Sequence, residues 1–325
     1  MLPPTDRRPD VADVASDTET ASDILTAETV DTVSECATVD AAPSAPPAPC
    51  PPPRWPAKRD VFGVGISPTT YAEAAECVVR AGARRESAVV GAFAVHAVVT
   101  ASGDPQLRAA VNRFEMITPD GQPVRWALNL LHACGLKERV YGPTLTLEIC
   151  RLAAERGVPV FLYGGAEHVT PRLAARLRKM FPALKIAGAM SPPFRSLGAP
   201  EQAEDDRRAV EAIEASGAGI VLIGLGCPKQ DFLAARLRDR LHAVQVCVGA
   251  AFDFHAGVKP VAPRWMQNRG LEWFYRLASE PQRLWKRYLV TNSQYLGKLG
   301  LALSNLPRTR RQRRAGRRAA AKASF

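Results

Sequence analysis

The stretch Gly249-Ala-Ala-Phe-Asp-Phe-His-Ala-Gly257, followed by Ala262-Pro-Arg-Trp-Met266 and Gly270-Leu-Glu-Trp-Phe-Tyr-Arg-Leu277, crowds glycines, aromatics, a carboxylate, a histidine and arginines together. Packing alone does not demand this mixture. Glycine lets backbone approach a ligand closely, and guanidinium groups match phosphate oxygens in geometry and charge. Arg264, Trp265, Arg276, Arg283 and Arg287 therefore read as candidates to line a site for an anionic substrate, with Asp253 and His255 near them. Asp253 lies between Phe252 and Phe254, which suits orienting a loop as well as taking protons.

A second group is Gly224-Leu-Gly226-Cys-Pro228-Lys229-Gln230-Asp231. Its glycines admit a ligand to the backbone, and Pro228 can open a helix whose free N–H groups suit a diphosphate. Lys229 would add a full charge, and Gln230 a donor and an acceptor for sugar or base. The plainer alternative is a strand-to-helix turn with a solvated lysine. A third group, Thr118-Pro-Asp120-Gly121, places one carboxylate in a glycine turn. Aspartate favours turns for its own hydrogen-bonding reasons, but transfer onto a hydroxyl needs a base within reach, and Asp120 is the candidate. Gly164 and Gly165 follow another strand-like run.

Other chemistries fit less well. Gly63-Val-Gly65 lacks the third glycine of a dinucleotide fingerprint, and Glu86, near the acidic spacing, precedes a strand. A turn is the better reading, although a Rossmann-type NAD-dependent oxidoreductase stays open as an alternative. The chain has no D-x-D triplet, and its five histidines show no ligand spacing, so no metal or other cofactor is expected.

These groups need elements to hold them. Strands are expected at 61–66, 88–94, 114–118, 159–163, 185–189, 219–224 and 243–249. Helices are expected at 68–81, 105–112, 123–134, 143–156, 170–181, 201–216, 229–240 and 271–288. Strands nearly continuous in Val, Ile and Leu imply burial on both faces, hence a mainly parallel sheet. Alternation with helices implies an α/β, Rossmann-like layered fold, with a C-terminal helical appendage. In such sheets ligands bind beyond the carboxyl ends of the strands, which is where Asp120, Gly164, Gly224 and Gly249 fall.

The chain of 325 residues has 46% hydrophobic content, enough for a sizeable core. Residues 1–58 are acidic and proline-rich and read as a disordered tail. Residues 59–262 read as the catalytic body, 263–306 as an Arg/aromatic appendage, and 307–325 as a disordered basic tail. The formal charge of +11 points to phosphates, diphosphates or an anionic membrane surface; a non-enzymatic basic surface-binding protein is the other alternative. Seven cysteines without a C-x-x-C pair fit a reducing cytosol. Tyr295–Leu306 is too short to cross a membrane but long enough to lie on one.

The ordered motifs Pro119-Asp-Gly121, Val140-Tyr-Gly-Pro143, Gly224–Gln230, Gly249–Gly257, Ala262-Pro-Arg-Trp265, Leu271–Leu277 and Glu280-Pro281 together resemble the WecG/TagA/CpsF glycosyltransferases over roughly residues 60–296. The resemblance implies inverting, metal-independent transfer of a hexose-type sugar (ManNAc, ManNAcA or glucose class) from a UDP-sugar donor. The implied acceptor is a polyprenyl-diphosphate-linked saccharide in exopolysaccharide or cell-surface glycan biosynthesis, at the inner face of the cell membrane. It further implies Asp120 as the base, C-terminal arginines at the site and peripheral membrane contact. It calls for no specific nucleic acid and leaves room for a homo-oligomer. Two departures stand out: Gly91-Ala-Phe93 replaces a Thr-x-Asn pair, and Asp231 replaces a glutamate.

Overall fold

The computed structural model describes residues 55–263, 265–266 and 272–306, apart from the side chains of Arg283 and Arg287. The acidic, proline-rich residues 1–54, Arg264 and the basic residues 307–325 lie outside the described residues.

Six strands form one sheet in the order β4-β3-β8-β7-β5-β6, every neighbouring pair parallel. They are β3 Ala88–Phe93, β4 Met116–Pro119, β5 Val160–Gly164, β6 Ile186–Met190, β7 Ile220–Gly224 and β8 Val244–Cys247. The runs Ala-Val-Val in β3, Val-Phe-Leu-Tyr in β5 and Ile-Val-Leu-Ile in β7 are buried throughout. Each such Val, Leu or Ile contributes about 1.5–3 kcal/mol by leaving water, so burial on both faces dominates the fold's stability. The expected α/β parallel architecture is what forms.

Helices cover both faces. One carries α1 Tyr71–Ala83, α5 Gly142–Arg156, α6 Val169–Met180 and the short α9 Ala251–His255. The other carries α2 Val95–Gly103, α3 Pro105–Asn112, α4 Gln122–His132, α7 Gln202–Ser216 and α8 Lys229–Leu237. The appendage supplies α10 Glu272–Ser279 and α11 Pro281–Ser304. Local chemistry sets several ends. Asp104 caps α3 by accepting from the Gln106 and Leu107 amides, with Pro105 behind it. Gly157 and Gly217 end α5 and α7 in the left-handed region.

The topology fixes where a ligand can sit. The chain runs outward from β3 to β4, restarts on the far side with β5 and β6, then fills the middle with β7 and β8. All six carboxyl ends share one edge, with a crevice where the strand order reverses.

Several expectations need correction. The expected strand 61–66 is a hairpin, β1 Arg59–Val61 and β2 Val64–Ile66, forming a separate two-stranded antiparallel sheet. Phe62 and Gly63 take positive φ in its turn, a two-residue geometry that matches strand twist. Gly63 therefore serves a hairpin and not a dinucleotide turn. Helix α2 was not expected: Ala97, Val98, Val99 and Ala101 are buried, so its sequence shows little of the polar periodicity that marks a surface helix. The expected helix 271–288 is two helices, separated at Glu280 by Pro281, the second running to Ser304. Its end is not a free amphipathic face. Tyr295 is buried and its hydroxyl donates to the Pro123 carbonyl at 3.0 Å, while Leu299, Ala302 and Leu303 pack on the core. Trp55 also packs on the core, and Lys58 donates to the Asn112 carbonyl, so packed chain begins before residue 59.

Gly224 and Gly164 show how tightly the strand ends are built. A Cβ on Gly224 would lie 2.4 Å from the Phe252 ring, and one on Gly164 would lie 2.8 Å from the Gly224 backbone. Phe252 is fully buried and has nowhere to move. Gly224→Ala should therefore destabilise the protein by about 1–3 kcal/mol through overpacking. Urea unfolding measures this; an unchanged midpoint would show that the contact is not limiting.

Candidate active site

Two cavities open at the carboxyl edge of the sheet, and six of the expected site residues line them: Asp120, Gly121 and Arg276 one, and Gly165, Gly224 and Lys229 the other. The first, of about 330 Å³, lies beyond β3 and β4 and is lined by Asp120, Gly121, Arg139, Tyr141, Glu272 and Arg276, among others. The second, of about 470 Å³, lies beyond β5, β6 and β7. Gly165, Gly224 and Lys229 line it, with Phe194 and Arg195 from the loop after β6.

Asp120 follows the last residue of β4, so a buried parallel strand fixes its position. Its backbone amide donates to the carbonyl oxygens of Phe93 and Thr118. Its Oδ2 accepts from the Gly142 amide at 3.2 Å. A Cβ on Gly142 would lie 3.3 Å from that oxygen and 3.3 Å from the Ala92 Cβ, so glycine lets α5 begin against the carboxylate. Burial pushes the Asp120 carboxyl up to about 6, opposed by the Arg139 cation and the Gly142 amide, reinforced by Glu272 and opposed again by Arg276. A carboxyl near 6 is ionised at neutral pH yet more basic than a solvated one. That combination suits a general base.

The surrounding groups bracket it. The Arg139 and Glu272 side chains form an ion pair, with the Arg139 guanidinium 4.6 Å above the Tyr141 ring. Burial, then the charges of Glu272 and Asp120, hold the Tyr141 phenol protonated far above its usual range. The Tyr141 amide donates to the Tyr71 hydroxyl at 3.0 Å. Arg276 lies over the Phe254 ring at 5.3 Å, which ties the appendage to α9.

At the second cavity Lys229 does more than offer a charge. Its Nζ donates to the Arg195 carbonyl at 2.7 Å and sits 3.7 Å from the Phe194 ring centroid, holding the 191–197 loop over the opening. Phe194 is 94% exposed there. Gln230 is buried, and its Oε1 accepts from the Gly226 amide at 3.0 Å, so it braces the turn. Gly226 has positive φ and open space where a Cβ would be. Pro228, joined to Cys227 by a cis bond, is the N-cap of α8. Asp231 is fully buried against the Cys227 thiol, and burial pushes its carboxyl up to about 7.

A strip of backbone runs from the first cavity to the turn at Gly226. The positions where Gly142 and Gly249 would carry a Cβ lie 3.8 Å from the Val248 carbonyl oxygen and 3.7 Å from the Gly226 Cα, respectively. Asp120, Gly142, Val248, Gly249 and Gly226 are therefore consecutive neighbours across the sheet edge.

Other expected residues fall elsewhere. Asp253 pairs with Lys259 at 3.0 Å, an arrangement that organises its loop. His255 Nε2 lies 2.8 Å from the Pro143 carbonyl, which assigns the Nε2–H tautomer, and burial lowers its pKa. Neither residue lines either cavity. Gly164 is buried against Gly224, as a packing element. Trp265 is 56% exposed. Arg264 lies outside the described residues, and the side chains of Arg283 and Arg287 on α11 do too. Among the described residues no group of three His, Cys, Asp or Glu side chains is placed to hold a metal ion. Arg139, Tyr141, Glu272 and Phe194 escaped the sequence reading. Tyr141 and Glu272 lie in the motifs Val140–Pro143 and Leu271–Leu277, which were the available signal for them.

The Asp120 shift has a stability consequence. The folded protein holds this proton more tightly than the unfolded chain, whose carboxyl titrates near 3.9. As pH rises from about 4 to about 6 the folded state binds more protons than the unfolded state, so stability falls through that window. Asp120→Asn should be more thermostable than the parent at pH 7.5, with the difference vanishing below pH 4. Melting curves across pH measure it; a difference independent of pH would contradict the shift.

The family model described as "Glycosyl transferase WecG/TagA/CpsF family" matches residues 59–311, a span that includes both cavities and the appendage. With a buried carboxylate at one strand end, basic side chains around it and a glycine turn opening a helix nearby, the chain belongs to the WecG/TagA/CpsF glycosyltransferase family and is a glycosyltransferase of cell-surface glycan biosynthesis.

Proposed function

We propose that this chain catalyses inverting, metal-independent transfer of a hexose-type sugar, of the ManNAc, ManNAcA or glucose class, from a UDP-sugar to a polyprenyl-diphosphate-linked saccharide. The observation that carries this reading is Asp120: a strand-end carboxylate in a cavity, anchored by the Gly142 amide and raised to about 6. Asp120 takes the proton of the acceptor hydroxyl as its oxygen bonds to the anomeric carbon. The bond from that carbon to the diphosphate oxygen breaks, and UDP leaves with the electron pair.

The second cavity supports a donor site. Its Lys229, with the open backbone at Gly226 in the adjoining turn, suits the UDP moiety, and the glycine strip leads from that turn to Asp120. Arg276 lines the Asp120 cavity, and its fixed charge supports a role in stabilising departing phosphate. The absence of any D-x-D triplet leaves that work to cations of the protein. In this reading residues 59–262 are the catalytic body and 263–306 the appendage. Trp273, Phe274, Trp285, Leu289 and Leu296 are exposed on the appendage near Lys286, a mixture that suits peripheral contact with an anionic membrane surface. Among the described residues no helix is long and apolar enough to cross a membrane.

Two measurements test the reaction. Asp120→Asn should lower turnover by about 10²–10⁴-fold while keeping the fold; near-full transfer would sink the assignment. In a panel of UDP-sugars with lipid-diphosphate acceptors, EDTA should leave the parent rate unchanged, whereas loss of activity restored by a divalent cation would overturn metal independence.

A further inference from the structure

Arg139 lies on the loop after α4, and Glu272 opens α10, 133 residues later. Their side chains are only 13% and 7% exposed, and their ion pair joins the body to the appendage across the wall of the Asp120 cavity. Burying two charges is a poor way to gain stability, because desolvation offsets much of their attraction. The placement is better understood through its neighbour. Arg139 interacts with two carboxylates, Glu272 and Asp120. A guanidinium binds one carboxylate best, through two parallel N–H bonds. Were Arg139 to pair with Asp120 instead, the lone pairs that must receive the acceptor proton would be occupied.

We propose that Glu272 is a positioning residue for the transfer: by engaging the Arg139 guanidinium it keeps that cation from closing onto the Asp120 carboxylate, leaving the base open to the incoming hydroxyl. This rests on Asp120 being the base. Among the described residues, the charged and titratable groups interacting with Asp120 or lining its cavity are Arg139 and Tyr141 from the loop after α4, Tyr71 from α1, Glu272 and Arg276 from α10, His96 from α2, and Tyr288 and Tyr295 from α11.

The test is the pH dependence of kcat/KM for the full chain and four variants. In the parent, activity should rise with pH along an acidic limb near pH 6 as Asp120 ionises. Glu272→Gln releases Arg139 onto Asp120, so the limb should move to lower pH by about one unit or more, with a lower plateau. Arg139→Gln leaves the Glu272 charge unopposed, so the limb should move to higher pH. Glu272→Asp keeps the charge and should leave the limb in place. A pair that acts on Asp120 through its charges alone would displace the limb of Glu272→Gln but keep the parent plateau, and a pair that only holds the appendage would leave the limb unmoved; either result would overturn the proposal. Should Glu272→Gln not fold, the upward displacement in Arg139→Gln carries the same test. Asp120→Asn separates the two ideas. If it keeps the limb, the base assignment itself fails; if it loses the limb while the other variants leave it unmoved, only the role of Glu272 fails.

Discussion

Desolvation of the Asp120 carboxylate is opposed by a small set of partners, and the rest of the site is arranged around that balance. Burial favours the proton, while the Gly142 amide and the Arg139 and Arg276 cations favour its release. Too much burial would leave an inert acid, and too close a cation would leave a spent ion pair. The appendage enters this balance directly, since Glu272 and Arg276 both come from α10 and act on Asp120 in opposite directions. A helix that looks peripheral in the chain order therefore helps to set the chemistry at the centre.

The parallel sheet makes such an arrangement affordable. Its buried strands fix their carboxyl ends rigidly, so short backbone segments can be brought together there without side chains between them. Gly164 and Gly224 meet backbone to backbone, and Phe252 fills the space that a side chain on Gly224 would need. The run from Gly249 to Gly257 thereby acquires a physical role. Phe252 supports the turn after β7, and Phe254 lies beneath Arg276. That run joins the second cavity to the appendage, while its own Asp253 and His255 are engaged with Lys259 and the Pro143 carbonyl.

Much of this was legible in the sequence, for identifiable reasons. Strands buried on both faces show as runs of Val, Ile and Leu, and a carboxylate or glycine just past such a run falls at the sheet edge by topology alone. Asp120, Gly165, Gly224 and Lys229 were found this way. What stayed hidden depends on three-dimensional proximity. The Arg139–Glu272 pair spans 133 residues, and although Glu272 lies in the Leu271–Leu277 motif, nothing local points to Arg139 as its partner. The helix α2 was masked by its own burial, and the face of α11 that packs on the core resembled one for a membrane. Phe93, one of the departures from the family pattern, is buried, and its ring lies 2.8 Å from where a Gly91 Cβ would be. Both departures from the usual pair are thus one packing solution.

The central claim is that a single carboxylate, acting as a base, drives direct displacement at the anomeric carbon. The most direct measurement is the anomeric configuration of the product, read by proton NMR of the transferred sugar made from a UDP-sugar of known α configuration. The account predicts a β-linked product. An α-linked product would require a covalent intermediate or front-face attack, and would contradict the role given to Asp120.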